Sequence, residues 1–235
     1  MKGFEYYYNI TPKNGKVRNN LIYTSLISKD KKTFCQWYYN DTGYHQGKNQ
    51  VVDPSLMEEK WQRELKFLTL MSNEFPQHVP DILDIDYNNK KIYLKIDGVD
   101  FWQQHHDQNC SYDDVLSDWR EQHLEIFRSH RSLGFYKISL HPSSYFIVDG
   151  KLKSINYFFC HRKEEPKKSI KDFKSHISID RQEKLAPILK KIGATWTSNL
   201  GWDEIQIIAL ESFRSNYPDD FIDQAIQLFK EIHDD

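Results

Sequence analysis

The 235-residue chain is short of cysteine: its three, Cys35, Cys110 and Cys160, are widely spaced, odd in number and never form a CxxC pair. That excludes a disulfide framework and a cysteine-based zinc site, and fits a reducing compartment. Long apolar runs are also missing, so no stretch of about 18 residues offers a membrane-spanning helix. The opening MKGFEYYYNI has neither the apolar core nor the small-residue cleavage site of a signal peptide. A soluble, cytoplasmic protein with no membrane partner is expected. Nor does one sign of charge dominate: 32 basic residues face 34 acidic ones, so no global field favours nucleic acid, and no nucleic-acid partner is expected. The densest basic run, KEEPKKSIKDFK with Lys163, Lys167, Lys168 and Lys171, is interrupted by acids. It reads as a solvated segment rather than a phosphate-binding patch.

What is present suffices for a core. Hydrophobic residues make up 39% of the chain and aromatics 14%, with six Trp. This supports one large domain or two small lobes, with aromatic surplus that an interface could use.

Strand signals come first. FEYYYNI (4–10) and VRNNLIYTSLIS (17–28) are aromatic and β-branched runs separated by the turn pair Asn14-Gly15, and TFCQWYY (33–39) continues them across KDKK. A three-stranded antiparallel meander follows. The polar stretch NDTGYHQGKNQ (40–50) reads as a loop. From Pro54 the period becomes helical, with Trp61, Leu65, Leu68 and Met71 on one face over about 54–73. DILDIDY and KIYLKI then predict two strands about Asn88-Asn89, a pair that tolerates left-handed geometry.

After Asp97-Gly98 the pattern turns helical again. HHDQNC (105–110) reads as a loop; its His105, His106, Asp107 and Cys110 do not project together, so no metal site is expected there. Leu116, Trp119, His123, Ile126, His130 and Leu133 predict one continuous helix over 113–133, with both histidines inward as core residues. Asp149-Gly150 predicts a hairpin between FIV and KLKSINY. The rest, from Ser169, reads as three helices, the last starting at Pro218 and two acids.

This element order, together with the string LGFYKISLHPSSYFIVDGKLKSINYF (133–158), resembles the protein-kinase-like superfamily of protein kinases and aminoglycoside phosphotransferases. SLHPSSYFIV is similar to that family's Asp-Leu-His-Pro-x-Asn-x-Leu-Val string, in register from Gly134 without a gap. The resemblance implies an α+β, two-lobed fold: a small antiparallel-sheet N-lobe with one helix (1–96) and a mainly helical C-lobe (97–235). The C-lobe would carry the remnant catalytic loop at 134–146 and the hairpin at 145–157. It puts Lys137 at the family's His, Ser139 at the catalytic Asp, Ser144 at the metal-binding Asn and Asn156 at the metal-binding Asp. His141 matches the phosphotransferase pattern. Glu64 stands where an ion-pairing Glu would be, but its Lys partner has no candidate in TFCQWYY. The phosphate-covering loop has one glycine, in TPKNGKVR. Backbone amides flanked by side chains approach phosphates poorly, and Glu64 then reads as a helix-surface or interlobe polar residue.

Phosphoryl transfer needs metal ions held by anionic oxygens and a carboxylate to orient the acceptor hydroxyl. Ser139 is too weak a base, and Ser144 and Asn156 bring no charge. No catalytic residue is intact, no metal ligand is expected, and no cofactor is implied. A catalytically inactive, pseudokinase-like module that binds a protein partner is the leading expectation. An atypical phosphotransferase with relocated groups, drawn from Asp149, Asp97 and Glu64, is the alternative, with Glu64 and Asp97 as cofactor-binding candidates. Ser139, Ser143 or Ser144 near His141 could suggest a hydrolase, but no G-x-S-x-G elbow accompanies them. The same string is also compatible with a proline-containing turn before an edge strand. A third possibility is a structural interaction protein. Lysine outnumbers arginine 24 to 8, which fits an AT-rich genome. In this the chain weakly resembles uncharacterised marine phage proteins, which would place it in a host cytoplasm.

Overall fold

The structure, a computed structural model, describes residues 2–7, 23–38, 54–96, 100–171 and 179–233. The Asn14-Gly15 turn, the 40–50 loop and Asp97-Gly98 lie outside the described residues. The fold is α+β: an antiparallel sheet comes first, with one long helix inserted in it, and the later part is mainly helical. The chain forms two compact units, Met1–Gln122 with Ser143–Phe159, and His123–Pro142 with Cys160–Asp235.

In the first unit, β1 (Phe4–Tyr6), β2 (Tyr23–Ser28) and β3 (Thr33–Tyr38) form the expected meander. β5 (Lys91–Lys95) and the edge strand β4 (Ile82–Asp86) complete a sheet of order β1-β2-β3-β5-β4. The KDKK turn closes because Lys31 takes a left-handed φ of 58° and the Ser28 hydroxyl accepts from the Thr33 amide at 2.9 Å. Between β4 and β5 the left-handed residue is Lys90, with φ 54°, rather than either asparagine. Asn89 is instead held by the Asp86 carboxylate, which accepts from its backbone N–H at 2.9 Å and its side-chain amide at 2.7 Å.

Helix α1 (Pro54–Glu74) buries Met57, Trp61, Phe67, Leu68 and Met71, whereas Leu65 is only half-buried. Two polar side chains, Lys60 and Glu64, share its buried face. The segment expected to be a loop at 105–110 is largely helical: α2 (Phe101–Gln108) extends through His105 and His106. Asp100 caps its start and Asn109, at φ 49°, closes its end in the left-handed region that asparagine tolerates. The single helix expected over 113–133 is broken. α3 (Tyr112–Val115), started by a capping box between Ser111 and Asp114, ends at an extended Leu116, and α4 (Trp119–Ser132) begins anew. Ser117 and Asp118 are helix-start residue types set inside a continuous apolar pattern. The break seats the Trp119 ring 5.7 Å from Phe101 and 5.2 Å from Tyr112, and its indole N–H donates to Asp113 at 3.1 Å.

β7 (Tyr145–Val148) and β8 (Lys151–Ser154) form the expected hairpin. Asp149 and Gly150 both adopt positive φ, 51° and 70°, the signature of the tight turn whose twist matches the strands.

In the second unit, β6 (Phe135–Lys137) pairs with β9 (Cys160–Arg162). The three expected helices are α5 (Ile179–Lys191), α6 (Trp202–Ser212) and α7 (Asp219–His233). His123 and His130 are fully buried, as the helical face predicts. Burial and the nearby Lys137 charge hold the His123 imidazole well below its ordinary pKa, hence neutral. Arg131 pairs with Asp203 at 2.9 Å. Lys163, Lys167, Lys168 and Lys171 are all exposed. Among the described residues, no helix is long and apolar enough to cross a membrane.

Gly150 has open space where a Cβ would sit, so only its backbone angle resists substitution. Gly150→Ala is expected to cost about 1 kcal/mol, read as a lowered urea midpoint at unchanged slope; an unchanged midpoint would mean that the turn does not need the left-handed residue.

Candidate functional site

Strand β3 alternates, so Phe34, Gln36 and Tyr38 share one face, and all three are buried. Gln36 is a neutral amide in an otherwise apolar and aromatic stripe, and it needs partners. Its Nε2 donates to Asn156 Oδ1 at 2.8 Å. Asn156 Nδ2 in turn donates to Ser144 Oγ at 3.1 Å. The β7–β8 hairpin makes this possible, because Ser144 immediately precedes β7 and Asn156 follows just beyond β8. The Ile155 amide donates to the Ser144 carbonyl at 2.9 Å, which locks the two flanks together. Asn156 sits at φ 66°, where Asn is among the few side chains tolerated.

Glu64 is the second centre. It is completely buried on α1 rather than on a helix surface. Its Oε2 accepts from the Tyr38 hydroxyl at 2.9 Å and from the Phe158 backbone amide at 2.7 Å. One carboxylate oxygen thereby ties α1 to β3 and to the single helical turn Tyr157–Phe159. One turn earlier on α1, the buried Lys60 places its ammonium 3.8 Å from the centre of the Phe159 ring, a cation–π contact that offsets part of its burial.

The chemistry of the cluster is set by its neutrality. The Asn156 oxygen accepts from an amide and the Ser144 hydroxyl accepts from another, so both atoms that could face a cation already receive a hydrogen bond. Hard divalent cations are held chiefly by anionic oxygens. Among the described residues, no group of three or more His, Cys, Asp or Glu side chains could hold a metal ion. Among the described residues, Gln36 Oε1 is buried with no hydrogen-bond partner, a polar atom of the relay left for a water or a donor group.

Ser139 and His141 belong to the second unit. Lys137, fully buried, donates its ammonium to the Ser139 carbonyl. The Tyr217 hydroxyl donates to the Leu140 carbonyl at 2.9 Å, and the half-buried His141 packs edge-on to Phe213 at 5.6 Å. Side chains hold this loop through its backbone carbonyls. Asp149 is exposed in its turn, and Asp97 lies outside the described residues. In 105–110, His105 stacks on Tyr112 at 4.1 Å and contacts the Cys110 carbonyl through Nδ1, while His106 is exposed.

Gln36, Tyr38 and Lys60 are site residues that the sequence pattern alone does not single out. The signal for Gln36 is a polar residue at an inward position of a strand, between Phe34 and Tyr38. For Lys60, it is the spacing of four from Glu64 on a face that also carries Trp61.

No known family profile matches the chain, and no curated protein matches it. Among solved structures it is similar to WbdD. The structure of WbdD with the kinase inhibitor LY294002 is 11% identical over 92% of this chain and 44% of that one, at a TM-score of 0.47. The monomeric form is 11% identical over 80% and 44%, at 0.45. A structure described as the bifunctional kinase-methyltransferase WbdD is 11% identical over 91% and 43%, at 0.44. The chain spans less than half the length of each of these.

Removing the Glu64 carboxylate takes away an acceptor from two buried donors at once. Glu64→Ala is expected to destabilise by about 2–4 kcal/mol and Tyr38→Phe by about 1 kcal/mol. In a denaturant double-mutant cycle the two should be non-additive; strict additivity would show that the hydroxyl does not depend on Glu64.

Proposed function

We propose that the chain is a kinase-like protein that has given up phosphoryl transfer and acts as a binding or regulatory module for a protein partner. One observation carries this proposal. The positions that the resemblance aligns with the two metal ligands, Ser144 and Asn156, are hydrogen-bonded to each other and to Gln36 in an uncharged relay. A triphosphate with its metal would find a hydroxyl at the position of the family's amide ligand and a neutral amide where the chemistry requires a carboxylate. Glu64, whose family counterpart pairs with a phosphate-binding lysine, uses its carboxylate to bind a tyrosine hydroxyl and a backbone amide. The family's acid–base position, Ser139, carries a hydroxyl, which is no general base near neutral pH.

The alternative, a phosphotransferase with relocated carboxylates, has no observation in its favour. Of its three candidates, Glu64 is committed as described, Asp149 lies at an exposed turn and Asp97 is not among the described residues.

Thermal-shift titration with ATP and Mg²⁺ or Mn²⁺ tests the proposal. No metal-dependent rise in Tm is expected for the natural chain, because a ligand present at 100 times its Kd would stabilise by about 2.7 kcal/mol and be easily seen. Asn156→Asp, which restores one carboxylate at a left-handed position that Asp also tolerates, should gain a metal-dependent shift. A clear Mg²⁺-dependent stabilisation of the natural chain, or ATP turnover abolished by Asn156→Ala, would overturn it.

A further inference from the structure

Asp100 takes no part in the relay or the Glu64 cluster, yet it is one of the most deeply buried carboxyls, 1% exposed. It caps α2: Oδ1 accepts from the Gln103 amide at 2.7 Å, and Oδ2 has no hydrogen-bond partner among the described residues. Its backbone forms an isolated antiparallel bridge with Phe146 of β7. Tyr7, just beyond β1, brings its hydroxyl beside the same carboxyl. The Tyr7 ring packs on Phe34 at 5.6 Å and on Phe146 at 5.9 Å, and its amide donates to the Ser25 carbonyl at 2.9 Å. Three elements therefore meet at one acid: the end of β1, the first turn of α2, and β7.

The surroundings decide what that acid can do. Phe146 is bridged to Asp100 through the backbone, and Phe34 and Phe146 both pack on the Tyr7 ring. Among the described residues, the titratable groups whose charge reaches Asp100 are Tyr7 from the end of β1, Tyr112 from α3 and Asp107 from the last turn of α2. None of them is a cation. Burial pushes the carboxyl up to about 7, outweighing the amides at the start of α2 and the Tyr7 hydroxyl, which favour the anion. The same burial, with Asp100 beside it, holds the Tyr7 phenol well above its ordinary value, so Tyr7 stays neutral and supplies no charge.

We propose that the Asp100 carboxyl is a proton-operated latch that fastens the end of β1 and the first turn of α2 to β7, closed when the acid is neutral and loosened when it ionises. The sign follows from linkage. In the folded state the proton is held up to about neutral pH, whereas an unfolded aspartate releases it near 3.8. The folded state thus binds the extra proton between those values, and stability falls as pH rises through that window. Above it, an anion with no cationic partner among the described residues remains in a buried site, and opening of the α2 start to water relieves it.

Asp100→Asn keeps a capping oxygen and cannot ionise. In thermal melts at pH 5, 6.5 and 8.5, its Tm advantage over the natural chain should be smallest at pH 5 and larger by roughly 5 °C at pH 8.5. Hydrogen exchange of the natural chain, corrected for intrinsic rates, should show protection of the Gln103 and Gln104 amides falling between pH 5.5 and 8.5. This second measurement stands even if the variant does not fold. A Tm difference independent of pH, or exchange protection at the start of α2 that does not change, would overturn the proposal.

Discussion

A single buried carboxylate oxygen, Oε2 of Glu64, holds the first compact unit in register. It receives the Tyr38 hydroxyl from β3 and the Phe158 amide from the turn after the β7–β8 hairpin, while its own backbone belongs to α1. A sheet, a helix and a hairpin exit are thus fixed against one another by two hydrogen bonds to one carboxylate oxygen. Losing that oxygen would leave two buried donors unsatisfied, which costs more than either bond contributes. The Tyr38 ring also lies 5.6 Å from Trp61, so the polar tie runs through an aromatic core.

The Gln36–Asn156–Ser144 relay depends on that frame. It can form only when β3 presents Gln36 inward and the hairpin exit holds Asn156 in the left-handed region. Amide and hydroxyl groups satisfy one another at modest cost in a dry interior, where isolated carboxylates would each demand a cation or a proton. Asp100 shows the other solution within the same unit: a buried acid with no cation beside it among the described residues, pushed toward neutrality. The two arrangements show two ways in which this unit carries buried polar groups: neutral ones paired with one another, and an acid pushed toward its protonated form.

Much of the architecture is legible in local pattern. The meander, α1, the β4–β5 pair and the Asp149-Gly150 hairpin follow from alternation, helical spacing and turn chemistry, each acting over a few residues. The inward histidines of α4 are legible for the same reason. Where local pattern fails, competing local signals are present. His105 and His106 join a helix because Asp100 and Asn109 cap it, the first from outside the HHDQNC string. The face running from Leu116 to Leu133 is interrupted because Ser117 and Asp118 restart the helix and let Trp119 turn onto Phe101 and Tyr112.

By itself, the sequence determined which residue types stand in the string from Gly134 to Phe158, and so the lack of carboxylates at Ser139, Ser144 and Asn156. Composition and order are properties of the chain alone. Only the tertiary structure decided that Gln36, 120 residues from Asn156, is its partner, and that Glu64 lies in the interior rather than at the surface. Long-range partners are chosen by which side chains a fold brings within about 3 Å of each other, and no spacing along the chain encodes that distance.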